Sequence, residues 1–423
     1  MGGVIAPGND SMGVLTVEGD YEQTGDYEVE ISHYAGGAPG VALSDRLVTS
    51  GAVSFGGTVH VAAATASSLE QIMSAAAAQG AMRWRILDGT TSIAPEQRTA
   101  ALDVPEGFAA ALDYANGGQD VDLFLAWAAP PDMPEQAGLL WQTALEPEMA
   151  LCDVTEMQAG KTSCAFLQGA SLSIEDDASD AGNVTAWSGV AGGGGAVQPN
   201  LWLGLGAGYG GGDMGSGDYD QFSAYLWGRW TPGRAELRGF AGLDHYAVDG
   251  RRQTTSGDTA SWDYGAWQPY LAAEGRYWMD LSQTLAITPV AGLTSVWLRL
   301  PGQEETGAGI ENFQSDQQTL WGLTTLLGGE ARWQATPTLA FEASAGWQHL
   351  FGDDKVTISG TYASSPGTEL ARSSDAVGRD AAALGIGVLL DVTENSILHL
   401  AYDAELSDDE LSQSANARLT ISW

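Results

Sequence analysis

Residues 412–423 read SQSANARLTISW, and they are the clearest indication of how this chain folds. Apolar residues occupy every second position up to the last residue: Ala417, Leu419, Ile421 and Trp423. The positions between them are polar, namely Arg418, Thr420 and Ser422. Because successive side chains of a β-strand point to opposite faces, this pattern predicts a strand with one apolar and one polar face.

Earlier segments share this alternation, and loops rich in Gly, Asp and Ser separate them. The full set is Cys164–Ile174, Val184–Ala196, Asn200–Gly210, Tyr219–Trp230, Arg234–Tyr246, Gly265–Trp278, Thr284–Leu298, Gln318–Trp333, Thr338–Phe351, Gly378–Val392, Ser396–Leu406 and Ser412–Trp423. Twelve is an even number, so an up-and-down sheet of these strands closes without an unpaired edge. Some connections, such as Ala247–Tyr264 and Gly352–Val377, are long and polar, whereas Thr231–Gly233 is tight. The sequence therefore predicts an all-β fold whose main part is a 12-stranded antiparallel transmembrane β-barrel.

Alternation alone does not distinguish a membrane barrel from a soluble β-sandwich. Aromatic residues near the predicted strand ends favour the barrel, because aromatic girdles line both interfaces of a membrane β-barrel. They are Trp230, Tyr246, Trp267, Tyr277, Trp278, Trp297, Trp333 and Trp347. The apolar run Ala381–Leu390 is about half the ~20 residues of a membrane-spanning helix, so a membrane location implies a barrel.

The chain carries 54 acidic and 17 basic residues. Phosphate contacts require clustered Lys and Arg, so we expect no nucleic-acid partner and no docking on anionic lipid. The acidity is typical of solubility in a salty or extracellular setting.

The two cysteines, Cys152 and Cys164, are close in sequence and lack a CxxC motif or a neighbouring His cluster. We therefore expect no metal site, and the chain shows no sign of a cofactor. In an oxidising compartment the two thiols would close a short loop, and two inert thiols are the alternative.

Residues 1–130 have a different texture from the rest of the chain. Short β-rich pieces are separated by Gly at close intervals, which is typical of a parallel β-helix. A β-helix needs several stacked rungs, so we predict the truncated end of one here. The opening MGGVIAPGNDSMG has no basic or long apolar export signal, and we expect the sequence to be a fragment of a longer protein unless it stays in the cytoplasm.

Residues 131–161 form a predicted linker between these two parts. A helix from Pro134 to Leu145 would rise only ~18 Å, which is short of the ~30 Å hydrocarbon core of a bilayer. Pro147 lacks an amide donor and should end or kink the helix. We expect two short helices, or a helix followed by coil.

Ionisable residues recur on the polar faces of the predicted strands, often as Glu-x-Arg. Those expected to face the lumen are Glu236, Arg238, Glu274, Arg276, Glu330, Arg332, Asp403 and Glu405, with Glu342, Arg379 and Asp380 as further members. Pairing across neighbouring strands, or with the linker, is the expected role in a water-filled barrel, rather than acid–base catalysis.

Two catalytic or nucleotide-binding interpretations find little support. Glycines 204, 206, 208 and 210 precede no helix N-terminus that would hold a phosphate, and we interpret them as small residues facing a lumen packed with a helix. The five histidines are scattered, so a Ser/His/Asp hydrolase is unsupported and we expect no enzyme.

Taken in order, several segments resemble the autotransporter (type Va secretion) family. They are GGVIAPGN (2–9), GVLTVEGDYEQ (13–23), SDRLVTSGAVSFGGTVHV (44–61), YDQFSAYLWGRW (219–230), GWQHLFGDD (346–354), VGRDAAALGIGVLL (377–390), ILHLAYDAEL (397–406) and ANARLTISW (415–423). The resemblance implies an outer-membrane barrel at 162–423, a linker at 131–161 inside its pore, and a β-helical passenger at 1–130 on the cell surface. The passenger of some members is released by cleavage at a linker Asn, and no Asn occurs between Gln119 and Gly182.

The same resemblance implies the partners of the chain. Leu419, Ile421 and Trp423 match the terminal signal that the barrel-assembly machinery reads. The other expected partners are outer-membrane lipid and periplasmic chaperones, and we expect a monomer.

The predicted function is that of a translocator and anchor that exports and displays its own N-terminal passenger. One alternative is a surface adhesin or binding module that uses the barrel only as an anchor. Another is a porin-like barrel with a periplasmic N-terminal domain. The sequence leaves open the activity of the passenger and whether it is released.

Overall fold

The computed structural model describes residues 4–7, 12–33, 42–63, 72, 81–104, 108–145, 147, 149–152, 161–176, 184–375, 377–407 and 410–423. Within these ranges the chain forms a strand-rich N-terminal part, one α-helix of more than a single turn and a closed β-barrel. Of the predicted linker, residues 146, 148 and 153–160 lie outside the described part.

Twelve strands of the described chain close the barrel. They are β12 (Ser163–Asp176), β13 (Val184–Gln198), β14 (Leu201–Asp213), β15 (Gly217–Trp230), β16 (Ala235–Gln253), β17 (Thr259–Tyr277), β19 (Leu285–Leu300), β21 (Gln318–Thr336), β22 (Leu339–Gly352), β25 (Asp380–Thr393), β26 (Ser396–Leu406) and β27 (Glu410–Ser422). The two-residue strand β18 (Met279–Asp280) follows β17 and pairs with the start of β19. Each strand pairs antiparallel with its neighbour, and β12 pairs with β27 from Cys164↔Ser422 to Asp176↔Glu410. This last pairing closes the barrel, so the predicted fold class is confirmed.

The observed strands match the twelve predicted segments, and the differences lie at their ends. β26 has the predicted bounds, whereas the predicted Arg234–Tyr246 continues as β16 to Gln253. Beyond Tyr246 the strand carries polar residues on both faces, including Asp249 and Arg252. The backbone ladder continues there after the apolar face has ended, so the alternation gave no signal for it.

Long connections lie at one end of the barrel, the loop end, and short ones at the other, the turn end. Residues 301–317 and 353–379 are loop-end connections, whereas 337–338 and 394–395 are turns. The long loop-end connections contain the strands β20 (Phe313–Ser315), β23 (Lys355–Tyr362) and β24 (Leu370–Asp375). These pair antiparallel in a separate small sheet, and a 3₁₀ turn, Gly309–Glu311, precedes it.

The N-terminal part is a stack of parallel strands. Its strands are β1 (Val14–Val17), β2 (Tyr21–Gln23), β3 (Tyr27–His33), β4 (Ala42–Ser44), β5 (Arg46–Thr49), β6 (Val53–Phe55), β7 (Thr58–Ala63), β8 (Ala81–Gly89), β9 (Ala101–Asp103), β10 (Ala109–Asp113) and β11 (Val121–Ala126). Parallel ladders run β1–β5–β8, β2–β6 and β3–β7–β9. Their inward side chains, such as Tyr27, Leu47 and Phe55, are fully buried. This is the geometry of a β-helix.

The β-helix ends in antiparallel strands on the side that faces the barrel. β11 pairs antiparallel with β8, and β10 pairs antiparallel with β11. We refer to β10 and β11 as the basal hairpin. Two 3₁₀ turns, Pro95–Gln97 and Asn116–Gly118, complete this part of the chain. The hairpin covers the edge of β8 that would otherwise be unpaired.

Candidate functional site: the barrel lumen

A helix lies inside the loop-end half of the barrel. α1 spans Asp132–Leu145, and eleven of its residues are buried. Trp262 Nε1 donates to Gln136 Oε1 at 2.9 Å, and Gln268 Nε2 donates to the Ala144 carbonyl at 2.7 Å. Both donors lie on β17, so the barrel wall holds α1 at two successive heights. The predicted helix is confirmed with a start two residues earlier.

Below α1 the described residues of the linker, 147, 149–152 and 161, are not helical. α1 ends before Pro147, as the missing amide donor of proline predicts. The Ala150 amide donates to the Tyr225 hydroxyl at 3.2 Å, and that hydroxyl donates to the Ala150 carbonyl at 2.8 Å. A disulfide then joins Cys152 to Cys164 at the start of β12. Of the alternatives for the linker, the described residues have a helix followed by a non-helical segment.

The polar wall of the lumen carries a chain of paired charges. Glu236 is fully buried and contacts both Arg229 and Arg238. Arg276 lies 2.6 Å from Glu274 and 2.9 Å from Glu330. Opposite charges thus alternate around several neighbouring strands, which offsets the cost of removing each one from water.

The remaining predicted charges line the same space. Arg332 lies 3.8 Å from Glu342, and Asp403 accepts from Asn416 Nδ2 at 3.3 Å. Glu405 contacts Gln348. The structure therefore places all eight predicted lumen charges on the inner face of the barrel. Five of them line a cavity of about 420 Å³, together with Met149 of the linker: Glu274, Arg276, Glu330, Asp403 and Glu405.

Of two further charges expected in the lumen, Asp380 points to the opposite face, and Arg379 lies before β25 at the rim of the lumen. Asp380 is exposed and accepts from Trp347 Nε1 at 3.0 Å, and Arg379 pairs with Asp354 at 2.7 Å on the exposed rim. Asp380 shares its face with Leu384 and Ile386, which point outward. β25 starts at Asp380, so the pattern of its first residues was too short to set the face.

Aromatic rings, and not the helix, fill the space over two glycines of the β14 stripe, Gly204 and Gly206. A Cβ added at Gly204 would lie 2.3 Å from Trp227, and one at Gly206 would lie 2.4 Å from Tyr225. Both rings project from β15 and lie flat over the neighbouring strand. Our expectation that these glycines face the helix was wrong at these two positions, because the adjacent strand fills the space first. Tyr225 in turn holds Ala150 of the linker.

The outer wall carries two aromatic belts. At the loop end they include exposed Trp187, Tyr209, Phe222, Trp267, Trp321, Trp347 and Phe351, and at the turn end Trp230, Tyr277, Trp333, Phe341 and Trp423. Trp321 and Trp333 are twelve residues apart on β21, which is ~30 Å across the wall at a tilt of ~40°. Leucines such as Leu205 and Leu226 are exposed between the belts. This apolar band fits the hydrocarbon layer of a membrane.

Tyr246 was wrongly expected in a belt. It is fully buried, and its hydroxyl donates to Gln268 Oε1 at 2.6 Å inside the lumen. Trp278 and Trp297 are half-buried. A position near a strand end does not by itself predict whether an aromatic side chain faces the lipid or the lumen.

The described residues contain no helix with the length and hydropathy needed to cross a bilayer. Across the same part of the chain, no three His, Cys, Asp or Glu side chains are grouped as metal ligands.

Comparison with known proteins assigns the barrel to a family. The family model described as the autotransporter beta-domain matches residues 165–403. The chain belongs to the autotransporter family. The barrel is accordingly an outer-membrane translocator domain that exports a passenger.

A solved translocator domain shares this fold. The translocator domain of the autotransporter NalP from Neisseria meningitidis is 15% identical, covers 63% of this chain and 91% of its own, and superposes with a TM-score of 0.52. The beta domain of the Bordetella autotransporter Brka is 14% identical over 62% of this chain and 100% of its own, with a TM-score of 0.48.

Curated relatives are much longer than this chain. An extracellular serine protease of Serratia marcescens is 28% identical over 209 residues, which is 48% of this chain and 20% of the relative. A second match to an extracellular serine protease of that organism is 29% identical over 137 residues, or 32% of this chain and 13% of the relative. The chain therefore spans a fifth or less of the length of these relatives.

Proposed function

We propose that residues 1–130 are the end of a passenger, that 131–161 are its linker through the pore, and that 162–423 export the passenger and anchor it. The observation that carries this proposal is the path of the chain. It leaves the β-helix at the loop end, passes down the lumen as α1 and the Ala150 segment, and joins β12 at the turn end. A passenger on this path lies outside the cell, and the turn end faces the periplasm.

The stacked rungs supply a reason for export to proceed in one direction. Each added rung buries apolar side chains, as β5 and β6 bury Leu47 and Phe55. Burial contributes about 25 cal/mol per Å² of apolar surface, and a folded rung is too wide to re-enter a lumen that already holds a helix. If residues 1–128 were produced alone and had no β structure, this part of the proposal would fail.

Protease treatment of intact cells tests the topology. We expect an added protease to cut within residues 1–126 of the displayed chain and to leave the barrel strands intact. A control with permeabilised cells shows which sites are reachable from the periplasm. If residues 1–126 are cut only after permeabilisation, the chain is a porin-like barrel with a periplasmic domain.

We propose no catalytic role for the described residues. The serine protease relatives have most of their length outside the matched region. We propose that the described part acts by transport and anchoring, and that any enzymatic or adhesive activity belongs to passenger sequence upstream of it. Sequencing that upstream region separates a catalytic passenger from adhesive repeats.

The proposed partners are outer-membrane lipid, periplasmic chaperones and the barrel-assembly machinery. Ile421 and Trp423 are exposed at the end of β27, where a receptor can read them. Leu419 is half-buried on the same face of this strand. We propose that the chain acts as a monomer, because β12 and β27 pair with each other and leave no edge for a second copy.

A further inference from the structure

The loop-end connections of the barrel form a compact surface beneath the β-helix. It consists of the small sheet β20–β23–β24, the 3₁₀ turn Gly309–Glu311 and the hairpin tip at residues 254–258. We call this surface the loop platform. Its strands form a sheet of their own, separate from the sheet of the barrel wall.

A buried carboxylate occupies the centre of the loop platform. Glu311 is 1% exposed and accepts hydrogen bonds from the Thr255 amide at 3.0 Å, the Thr255 hydroxyl at 2.8 Å and the Ser256 amide at 3.0 Å. Arg252 forms an ion pair with Glu305 through two hydrogen bonds of 2.8 Å. Its hydrogen bond to Glu311 goes to the backbone carbonyl and not to the carboxylate. Within the loop platform, the Glu311 carboxylate is therefore oriented by uncharged donors of the hairpin tip.

The cation that meets Glu311 comes from the β-helix. Arg83 of β8 places Nη2 at 2.6 Å from Glu311 Oε1, although 228 residues separate the two in sequence. The other terminal nitrogen of Arg83 contacts Asp113 and Asp122 of the basal hairpin. One guanidinium thus joins the hairpin to the barrel. A buried charge of this kind is stable only with its partner in place.

Apolar contacts surround this ion pair. Phe124 of the basal hairpin packs edge-on against Tyr362 of β23 with ring centres 5.5 Å apart, and Tyr362 packs on Phe313 at 5.1 Å. The Tyr362 hydroxyl also donates to the Ala128 carbonyl at 3.4 Å. The contact area therefore combines a charged centre with an aromatic rim and includes three separate elements of the barrel.

We propose that the loop platform is a receptor for the base of the chain's own β-helix, with Glu311 recognising Arg83, and that the docked base is the template for the remaining rungs. The basal hairpin is the passenger element nearest to the lumen along the chain, and β8 pairs with it, so both are confined at the mouth. Once docked, β8 presents its free edge to β5, and the stack grows away from the membrane. This inference rests on the proposed export function and adds the surface that starts folding outside the barrel.

Hydrogen exchange on the full chain in detergent tests the docking. In the variant E311A we expect the amides of β11 to exchange at least about tenfold faster, because a charge-assisted hydrogen bond and a buried pair are lost. E304A is the matched control, since Glu304 is exposed in the same connection. If E311A and E304A leave the exchange of β11 equally unchanged, the docking is overturned.

A double variant separates docking from loss of folding. R83M leaves Glu311 buried near Asp113 and Asp122 without a cation, so we expect it to accelerate exchange more than E311A does. R83M/E311A removes the excess carboxylate, and its exchange should be no faster than that of R83M alone. Multiplicative effects of the two substitutions would overturn the pairing. E311Q, which keeps the acceptor oxygen, replaces E311A if the barrel of that variant does not form.

Export kinetics test the template role and keep it distinct from the export function. We expect E311A to assemble its barrel normally and to display residues 1–126 several-fold more slowly than E304A. Equal display rates would overturn the template role while leaving export intact. Failure of the unsubstituted chain to display its passenger would instead overturn the proposed function.

Discussion

At the scale of the residue, the contact between Tyr225 and Gly206 links the barrel wall to the linker. The ring of Tyr225 lies where a Cβ at position 206 would be, and its hydroxyl holds both polar backbone atoms of Ala150. The absence of a side chain at Gly206 therefore determines where the linker is bound.

We predict that G206V displaces Tyr225 and loosens the linker. Overpacking of this size costs about 1–3 kcal/mol, and both hydrogen bonds to Ala150 depend on the ring position. The measurement is the urea concentration at which the barrel loses its heat-resistant electrophoretic mobility. G169V is the control, because a Cβ at Gly169 meets only the Ser188 carbonyl at 3.8 Å. Equal midpoints for both variants would contradict the prediction.

His60 connects three rungs of the β-helix on its outer surface. Its Nδ1 lies 2.7 Å from Asp103, and its Nε2 lies 3.7 Å from Asp26. The hydrogen bond with Asp103 raises the pKa of His60, and the negative charges of Asp26 and Asp103 act in the same direction. The imidazolium form therefore favours the stacked rungs.

We predict that this contribution to stability decreases as the pH rises. A raised folded-state pKa means that the stabilisation is complete below the unfolded value of about 6.5 and is lost as the pH passes the folded value. Amide exchange in β7 and β9, corrected for intrinsic rates, should show more protection at pH 5.5 than at pH 8. H60Q should remove the difference, and greater protection at the higher pH would refute the mechanism.

At the scale of the element, each barrel strand separates lipid from lumen by its alternation. In β15, Phe222 and Leu226 are exposed on the outer wall while Tyr225 and Trp227 are buried. A shift of one residue in its pairing would reverse both faces at once. The aromatic belts limit such shifts because they fix the height of the strand in the membrane.

We predict that L226R destabilises the barrel by about 2–4 kcal/mol, since Leu226 lies between the two belts of the lipid-facing wall. L281R introduces the same charge at an exposed residue of a turn-end connection and should cost about 0–1 kcal/mol. Unfolding of both variants in urea, from lipid vesicles, measures the difference. Similar losses at the two sites would argue against the assigned membrane position.

At the scale of the whole molecule, three parts are joined through the lumen. The β-helix meets the loop platform, α1 fills the upper lumen, and the Cys152–Cys164 disulfide ties the linker to the first barrel strand. The path is thus held at both ends of the barrel. A linker fixed in this way fills the lumen through which the passenger is proposed to pass.

We predict that the variant C152S/C164S keeps a folded barrel and loses the lower attachment of the linker. The barrel depends on its twelve paired strands, whereas a disulfide that closes a loop of about this size contributes ~3 kcal/mol by restricting the unlinked chain. Exchange of the Ala150 amide should increase while heat-resistant mobility is retained. The unsubstituted protein after reduction should behave in the same way, and no change in either sample would contradict the prediction.

The sequence by itself determined the twelve strands, their faces in the membrane region and the helix that ends before Pro147. These features are local, because alternation with a period of two and the missing donor of proline act over a few residues. It also carried the resemblance of the terminal ANARLTISW and earlier segments to a family that the comparisons confirm.

Only the tertiary structure decided which side chains meet. Tyr246 and Asp380 lie on faces that strand-end patterns did not specify, and Tyr225 covers Gly206 from an adjacent strand. The contact of Arg83 with Glu311 joins residues 228 apart. Such pairs depend on how the barrel closes and how the loops fold over its mouth, and no local pattern in the chain encodes that geometry.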